Sequence, residues 1–220
     1  MPTTIVIGAS RGIGFELAKQ LREEREHRVI ATTRKPCAEL SALDLDVVEN
    51  VDVTRDDSIA ALAETLKERK LSGMIVAAGV LESSSLDEPN FDAIRRQLEV
   101  NSIGPLRVIA ALRHLVRDGG KIAIITSRMG SLADNTSGGS YGYRMSKCAV
   151  NMVGVSLARD LEPRGIAVGL FHPGYVRTEM TGGHGNLDPD ESARLLLDRY
   201  EDLGDASGVF WHADGEELPW

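Results

Sequence analysis

The sequence predicts an α/β fold, a doubly wound parallel sheet of about seven strands with helices on both faces, forming a single domain over residues 1–220. Three observations carry this. Short β-rich runs alternate with longer amphipathic segments, the order expected of parallel strands joined by crossover helices. The run IAIIT at 122–126 is apolar almost throughout, as a strand buried on both faces is. No linker, low-complexity tract or repeat divides the chain.

The elements follow in order. Strands are expected at 3–7 (TTIVI), 28–33 (RVIATT), 48–53 (VENVDV), 73–78 (GMIVAA), 121–127 (KIAIITS), 166–171 (IAVGLF) and 208–212 (GVFWH). Helical patterns lie between them at 14–24, 58–69, 91–101 and 143–162. This is enough chain for one large core.

Charge and cysteine content narrow the partners. With 25 Lys plus Arg against 33 Asp plus Glu, the net charge is −8, which argues against nucleic-acid or anionic-membrane partners, since both need a basic surface. Cys37 and Cys148 are too few for a disulfide framework and lack metal-site spacing. No secretory signal and no membrane-length apolar run is visible, so a soluble, cytoplasmic protein without a metal is expected.

The first strand ends in a glycine-rich loop, TIVIGASRGIGFELAKQL. Gly8 can supply the tight turn, Gly12 the close backbone approach to a pyrophosphate, and Gly14 the helix-to-sheet contact. The helix N-terminus beyond offers amides and positive dipole to phosphates. The spacing is G-x-x-x-G-x-G rather than G-x-G-x-x-G. Glycine also serves any tight turn, but a strand before and a helix after support a dinucleotide site. Where an acidic residue would hold the ribose of NAD, the second strand ends in Thr32 and Thr33, followed by Arg34 and Lys35. Arg11 adds a second arginine inside the loop. Guanidinium matches phosphate oxygens, so NADP(H) is favoured over NAD(H).

The stretch SYGYRMSKCAVNM holds two tyrosines. Tyr143 and Lys147 are four apart and share a helix face, whereas Tyr141 has Met145 at that distance. A free phenol ionises near pH 10, and a cation one turn away is expected to lower that value. Such a group could protonate a developing alkoxide during carbonyl reduction.

Taken together in chain order, GASRGIG, NVDVT, AAGV, EVNSIGP, ITSRMGS, YRMSK and HPGYVRT resemble the short-chain dehydrogenase/reductase family of the classical type. SRMGS, NTSGGSYGYRMSKCAVNM and the ending LPW resemble its sniffer-like carbonyl reductases and C-factor group. The resemblance implies a Rossmann-type fold and a catalytic set of Asn101, Ser127, Tyr143 and Lys147. Tyr143 would be general acid/base, and Ser127 would bond the carbonyl. Lys147 would bind the nicotinamide ribose and tune Tyr143, while Asn101 would hold a relay water. For the cofactor it implies Gly8, Ser10, Arg11, Gly12, Ile13, Gly14 and Arg34. Further along come Asp52 and Val53 at the adenine, Ala78 and Gly79 beside the adenosine, and Pro173, Gly174, Val176 and Thr178 at the nicotinamide. Three features depart from the family pattern: Ala77 where an Asn braces the sheet, Ile7 in place of a threonine, and a longer interval between Ser127 and Tyr143.

The substrate side is less specified. Arg128, Met129, Asn135, Tyr141, Tyr175 and Met180 are its expected wall, with Arg128 a candidate for attracting an anion. The short loop after Thr178 suggests an open pocket. His184 is expected to be solvent-exposed and Cys148 packed. The segment 149–161 is apolar over most of its circumference, more than one stripe requires. With the resemblance, this implies a homodimer, with a tetramer as the larger alternative. The expected activity is NADPH-dependent reduction of an aldehyde, ketone, dicarbonyl or quinone. The alternative is a nucleotide-binding signalling protein of C-factor type.

Overall fold

The computed structural model describes residues 1–204 and 206–220. Seven strands form one sheet: β1 (Thr3–Ile7), β2 (Arg28–Thr32), β3 (Asp46–Val48), β4 (Leu71–Val76), β5 (Val116–Ile125), β6 (Ala167–His172) and β7 (Phe210–His212). Their order is β3-β2-β1-β4-β5-β6-β7, every neighbouring pair parallel. Helices α1 (Gly12–Glu23), α2 (Ala38–Ser41), α3 (Asp56–Leu66), α4 (Phe91–Leu98), α5 (Gly104–Leu112), α6 (Tyr141–Leu161) and α7 (Pro189–Glu201) connect them. The expected fold class is the observed one.

Alternation along each strand divides the core. Ile5, Ile7, Met74, Val76, Ile122, Ile124, Val168 and Leu170 face Ile59 and Leu62 of α3, Val108 and Ile109 of α5, and Val150 and Leu157 of α6. Val6, Ala31, Ile75, Ala123 and Phe171 face Leu17 and Leu21 of α1 and Leu196 and Leu197 of α7. Each fully buried side chain of this size contributes about 1.5–3 kcal/mol. α4 lies against α6, where Gly142 leaves no room for a β-carbon beside Gln97 and Ile94.

Several boundaries differ from expectation. The third strand covers 46–48 rather than 48–53. Asn50 takes a left-handed turn (φ 62°), and the chain leaves the sheet just where the Asp52 carboxylate accepts from Thr54 N at 2.9 Å and Thr54 Oγ1 at 2.7 Å. Those local bonds compete with the ladder. α6 starts two residues before the expected 143. The helices at 104–112 and 189–201 were not among the expected segments: Pro105 masks the start of the first, and Pro189 opens the second in the N-terminal position that proline tolerates. No helix among the described residues is long and apolar enough to cross a membrane.

Gly73 on β4 is required by packing. A β-carbon there would lie 1.6 Å from the hydroxyl of buried Tyr200 and 3.1 Å from the Lys121 carbonyl. Gly73→Ala is therefore expected to destabilise the fold by about 2 kcal/mol, read as a lower urea midpoint with an unchanged slope. A midpoint within error of the parent would contradict this packing.

Candidate active site

The sheet order reverses between β1 and β4, and the crevice at such a switch point lies outside the carboxyl ends of the strands. A cleft of about 630 Å³ opens there. Its floor is the glycine loop between β1 and α1. Gly8 has φ +86°, and a β-carbon on it would come within 2.8 Å of the Ala78 backbone; one on Gly14 would lie 2.2 Å from the Gly8 carbonyl oxygen. The two chain segments therefore approach as closely as backbone allows. α1 has no side-chain cap, which leaves first-turn amides for an anion. Ser10, Arg11, Gly12 and Ile13 complete this floor. Thr32 Oγ1 accepts from Gly8 N at 3.2 Å, and Ile7 O accepts from Ala77 N at 2.9 Å. The loop is thus braced from β2 and β4 despite Ile7 and Ala77.

At one end of the cleft lie Thr33, Arg34, Lys35, Asp52, Val53, Ala78 and Gly79. The Thr33 hydroxyl donates to the Lys35 carbonyl at 2.6 Å, so it shapes the turn. Arg34 and Lys35 are exposed. Among the described residues Arg34 has no ion-pair partner, whereas Arg11 is paired with Glu179. Burial pushes the Asp52 carboxyl up, but its bonds from Thr54, with Arg34 and Arg55 nearby, more than offset this and hold it below the usual carboxylate range. Arg107 fixes this wall by donating to the Val53 carbonyl at 2.7 Å.

At the other end the two tyrosines differ in placement. Tyr143 is 8% exposed and lines the cleft, whereas Tyr141 is 39% exposed and does not. Lys147 sits one turn on, its Nζ 5.6 Å from the Tyr143 ring centroid and donating to the Ile125 carbonyl at 3.0 Å. Ser127 caps a short 3-10 turn at 128–130 by accepting from Met129 N at 3.2 Å. Between α4 and α5 a π-helical turn, Glu99–Ile103, carries Asn101, a distortion often found at functional positions. Asn101 bonds both backbone groups of Val80 at 2.8 Å and donates to Ser146 Oγ at 2.9 Å. A β-carbon on Gly79 would lie 3.4 Å from Asn101 Oδ1 and 3.7 Å from Lys147 Nζ. The side chains of Asn101 and Lys147 thus converge over that glycine.

The electrostatics run opposite to expectation in the protein alone. Burial raises the Tyr143 phenol to about 12, with the Ser127 hydroxyl offsetting part of the effect. Burial also lowers Lys147 to about 8. The expected lowering of the phenol by Lys147 does not appear: removing both groups from water disfavours both charged forms.

Pro173 and Thr178 line the cleft, whereas Gly174 and Val176, like Asn101 and Ser127, are not among its lining residues. Gly174 packs on Leu187, and buried Val176 bridges to Leu187. Of the expected substrate wall only Met180 reaches the cleft lining. Tyr175 is exposed. Arg128 pairs with Asp134 at 2.9 Å and Glu216 at 3.2 Å, so its charge is already met. His184 is exposed, and no metal-binding cluster exists among the described residues. Cys148 is half-buried.

Sequence reasoning missed the residues that hold the reactive ones. Ser146 Oγ donates to the Tyr143 carbonyl at 2.8 Å, Ser102 Oγ donates to the Ser146 carbonyl at 2.7 Å, and Thr126 Oγ1 donates to Asn151 Oδ1 at 2.6 Å. Their signal was only adjacency to Asn101, Ser127 and Lys147. Glu179 and Cys37 also line the cleft, and nothing in their sequence context marked them.

Comparison with known proteins agrees with this geometry. The family model described as short chain dehydrogenase matches residues 2–186. A 1-hydroxy-2-glutathionyl-2-methyl-3-butene dehydrogenase of Rhodococcus sp. (strain AD45) is 43% identical over the whole of both chains. C-signal of Myxococcus xanthus is 42% identical over 62% of this chain and 84% of that protein. An NADPH-bound carbonyl reductase from chicken fatty liver superposes with a TM-score of 0.92 at 27% identity, covering 100% of this chain and 94% of that one. The chain belongs to the short-chain dehydrogenase family and is an NAD(P)-dependent oxidoreductase.

Proposed function

We propose that this protein transfers hydride between NADP(H) and a small carbonyl or alcohol, with Tyr143 as the general acid/base. The observation that carries this is the convergence of Ser127, Tyr143, Lys147 and Asn101, each less than a tenth exposed, beside a glycine-floored dinucleotide cleft. A nicotinamide dinucleotide bound there supplies or accepts the hydride. The Ser127 hydroxyl donates to the substrate oxygen as negative charge develops on it. The Tyr143 phenol, held protonated by burial, gives that oxygen its proton in reduction and takes one back in oxidation. Lys147 binds the nicotinamide ribose and places positive charge beside the phenol, favouring the phenolate when oxidation requires it. Asn101 holds the Val80 turn and Ser146 together and is assigned the relay-water role.

The remaining cofactor contacts follow the lining. Gly8, Ser10, Arg11, Gly12, Ile13 and Gly14 take the pyrophosphate side, Asp52 and Val53 the adenine, Ala78 and Gly79 the adenosine, and Pro173 and Thr178 the nicotinamide. Arg34 is assigned the 2′-phosphate: it lines the cleft, and no acid follows β2. The relative of Rhodococcus dehydrogenates an alcohol bearing a glutathionyl group by its name, so both directions of hydride transfer belong in the assay. The likeness to C-signal favours a second reading, nucleotide-dependent signalling. A sensor has no need of a buried Tyr–Lys pair, and the enzyme reading is preferred. Exposed Ile103, Leu106, Met145 and Met152 on and beside α5 and α6 are assigned to a homodimer interface. Two free cysteines suit the reducing cytoplasm.

Three outcomes are expected. Calorimetric titration should give NADPH binding about tenfold or more tighter than NADH binding, the gap closing in Arg34→Ala; equal affinities in the parent would remove the phosphate assignment. Tyr143→Phe should lower kcat/KM for a carbonyl by about 10³-fold with NADPH affinity unchanged. Full turnover by that variant would end the general-acid reading, and a cellular activity surviving in it would favour signalling.

The third concerns stability. Lys147 is depressed from 10.5 to about 8, so between those pH values the unfolded chain binds more protons and stability falls as pH falls. Below pH 8 the full penalty, about 3 kcal/mol, is present. Lys147→Met should therefore be about 2 kcal/mol more stable than the parent at pH 7, after loss of its bond to Ile125. The advantage should shrink as pH rises towards 10.5 in urea melts. A variant less stable than the parent at pH 7 would refute the burial penalty.

A further inference from the structure

We infer that the segment Glu216–Trp220 is a strap that positions the loop joining Ser127 to Tyr143, with Glu216 and Trp220 as positioning residues for the reaction proposed above, a reading on which the inference rests. The loop is residues 131–140, between Ser127 and Tyr143. It holds its own shape through short-range bonds: Asp134 N donates to Ser131 Oγ at 3.0 Å, Thr136 N to the Asp134 carbonyl at 2.9 Å, and Gly138 N to Asn135 Oδ1 at 3.1 Å. Its far half stands clear of the core, since a β-carbon on Gly138 or Gly139 would meet nothing within 4 Å. Such bonds shape a loop but do not fix its place on the protein.

Two ties do that. At the far half, Arg144 of α6 donates to Ser137 Oγ at 2.8 Å and the Gly138 carbonyl at 3.2 Å. At the near half the tie is the strap. Ala133 N donates to the Trp220 carbonyl at 2.9 Å. Arg128, next to Ser127, pairs with Glu216 and with Asp134 of the loop. One guanidinium therefore joins strap, loop and catalytic turn.

The strap is itself anchored to the sheet edge. Leu218 is buried, and its N–H donates to the Phe210 carbonyl at 2.7 Å. His212 N donates to the Glu216 carbonyl at 2.8 Å, and Glu216 N to Asp214 Oδ1 at 3.0 Å. The Trp220 ring stacks on fully buried Phe210, centroids 5.6 Å apart and planes 26° apart. An aromatic pair of this kind contributes beyond its buried area. Trp220 thus has one face on the core and its carbonyl on the loop. The position of the rigid strand β7 passes through it to the loop beside Ser127, as a support behind a reacting residue must.

The test pairs peptide-resolved hydrogen exchange with steady-state kinetics on Trp220→Ala, Trp220→Phe and Glu216→Gln. Trp220→Ala should speed exchange in peptides covering 128–136 by about tenfold. It should raise KM for a carbonyl substrate about tenfold, with kcat within about twofold and NADPH affinity unchanged. Trp220→Phe keeps the stack and should restore both values. Glu216→Gln, at an exposed position, should move both the same way by a smaller factor and decides the case if Trp220→Ala does not fold. Unchanged exchange overturns the strap. Faster exchange with an unchanged KM overturns the positioning role. A parent protein that binds NADPH yet turns over no carbonyl or alcohol defeats the reductase reading instead, and hydrogen exchange then decides the strap independently.

Discussion

The site depends on how closely α6 lies against the ends of the central strands, because only that approach can bury a lysine beside a tyrosine. Glycine makes room for it at three levels. A β-carbon on Gly130 would lie 2.6 Å from the Lys147 backbone, one on Gly142 would lie 2.5 Å from the Gln97 amide nitrogen, and one on Gly154 would lie 2.4 Å from Leu170. The helix therefore rests on the 3-10 turn after Ser127, on α4 and on β6 at once. Lys147 reaches the Ile125 carbonyl because the backbone beneath it cannot recede. Widen any of these contacts and water enters, and the electrostatics of the pair relax towards solution values.

That burial has opposite consequences for Tyr143 and Lys147. It keeps the proton on Tyr143 and makes the charge on Lys147 expensive. A protein selected for stability alone would fill the Lys147 position with an apolar side chain. Keeping a charge there, next to a phenol and over Gly79, is the kind of local inconsistency that functional sites carry and the surrounding core offsets. Ser102 and Ser146 donate to the Ser146 and Tyr143 carbonyls, and Thr126 donates to the Asn151 side chain. Both reactive side chains are left facing the cleft.

How far the sequence was legible follows from the same physics. The strand at 3–7 and the 121–125 part of β5 (Val116–Ile125) could be read because burial on both faces demands continuous apolar residues, whereas the exposed 117–119 start of β5 gave no such signal. The glycine loop and the Tyr143–Lys147 spacing could be read because close approach and helical geometry leave few residue types possible. Residues 48–53 misled because VENVDV has strand composition, while its actual path is set by Asp52 bonding to Thr54, a local choice that composition does not reveal. The sign of the Tyr143 shift was read from a neighbour in sequence, yet it is decided by desolvation, which depends on every element packed around it. Gly174 and Val176 were placed at the cofactor by motif, which says nothing of their packing beside Leu187.

The two ends of the cleft are built to different tolerances, which bears on why chemistry was easier to read than specificity. The reactive end is made of buried side chains bonded to backbone, where any change propagates through close-packed neighbours. The surface beyond it carries exposed Tyr175 and Met180 and loops with glycines at positive φ, Gly138, Gly139, Gly182 and Gly183. Beside Ser127 the charge of Arg128 is already matched, by Asp134 and Glu216. An anion would have to displace a carboxylate to win that guanidinium.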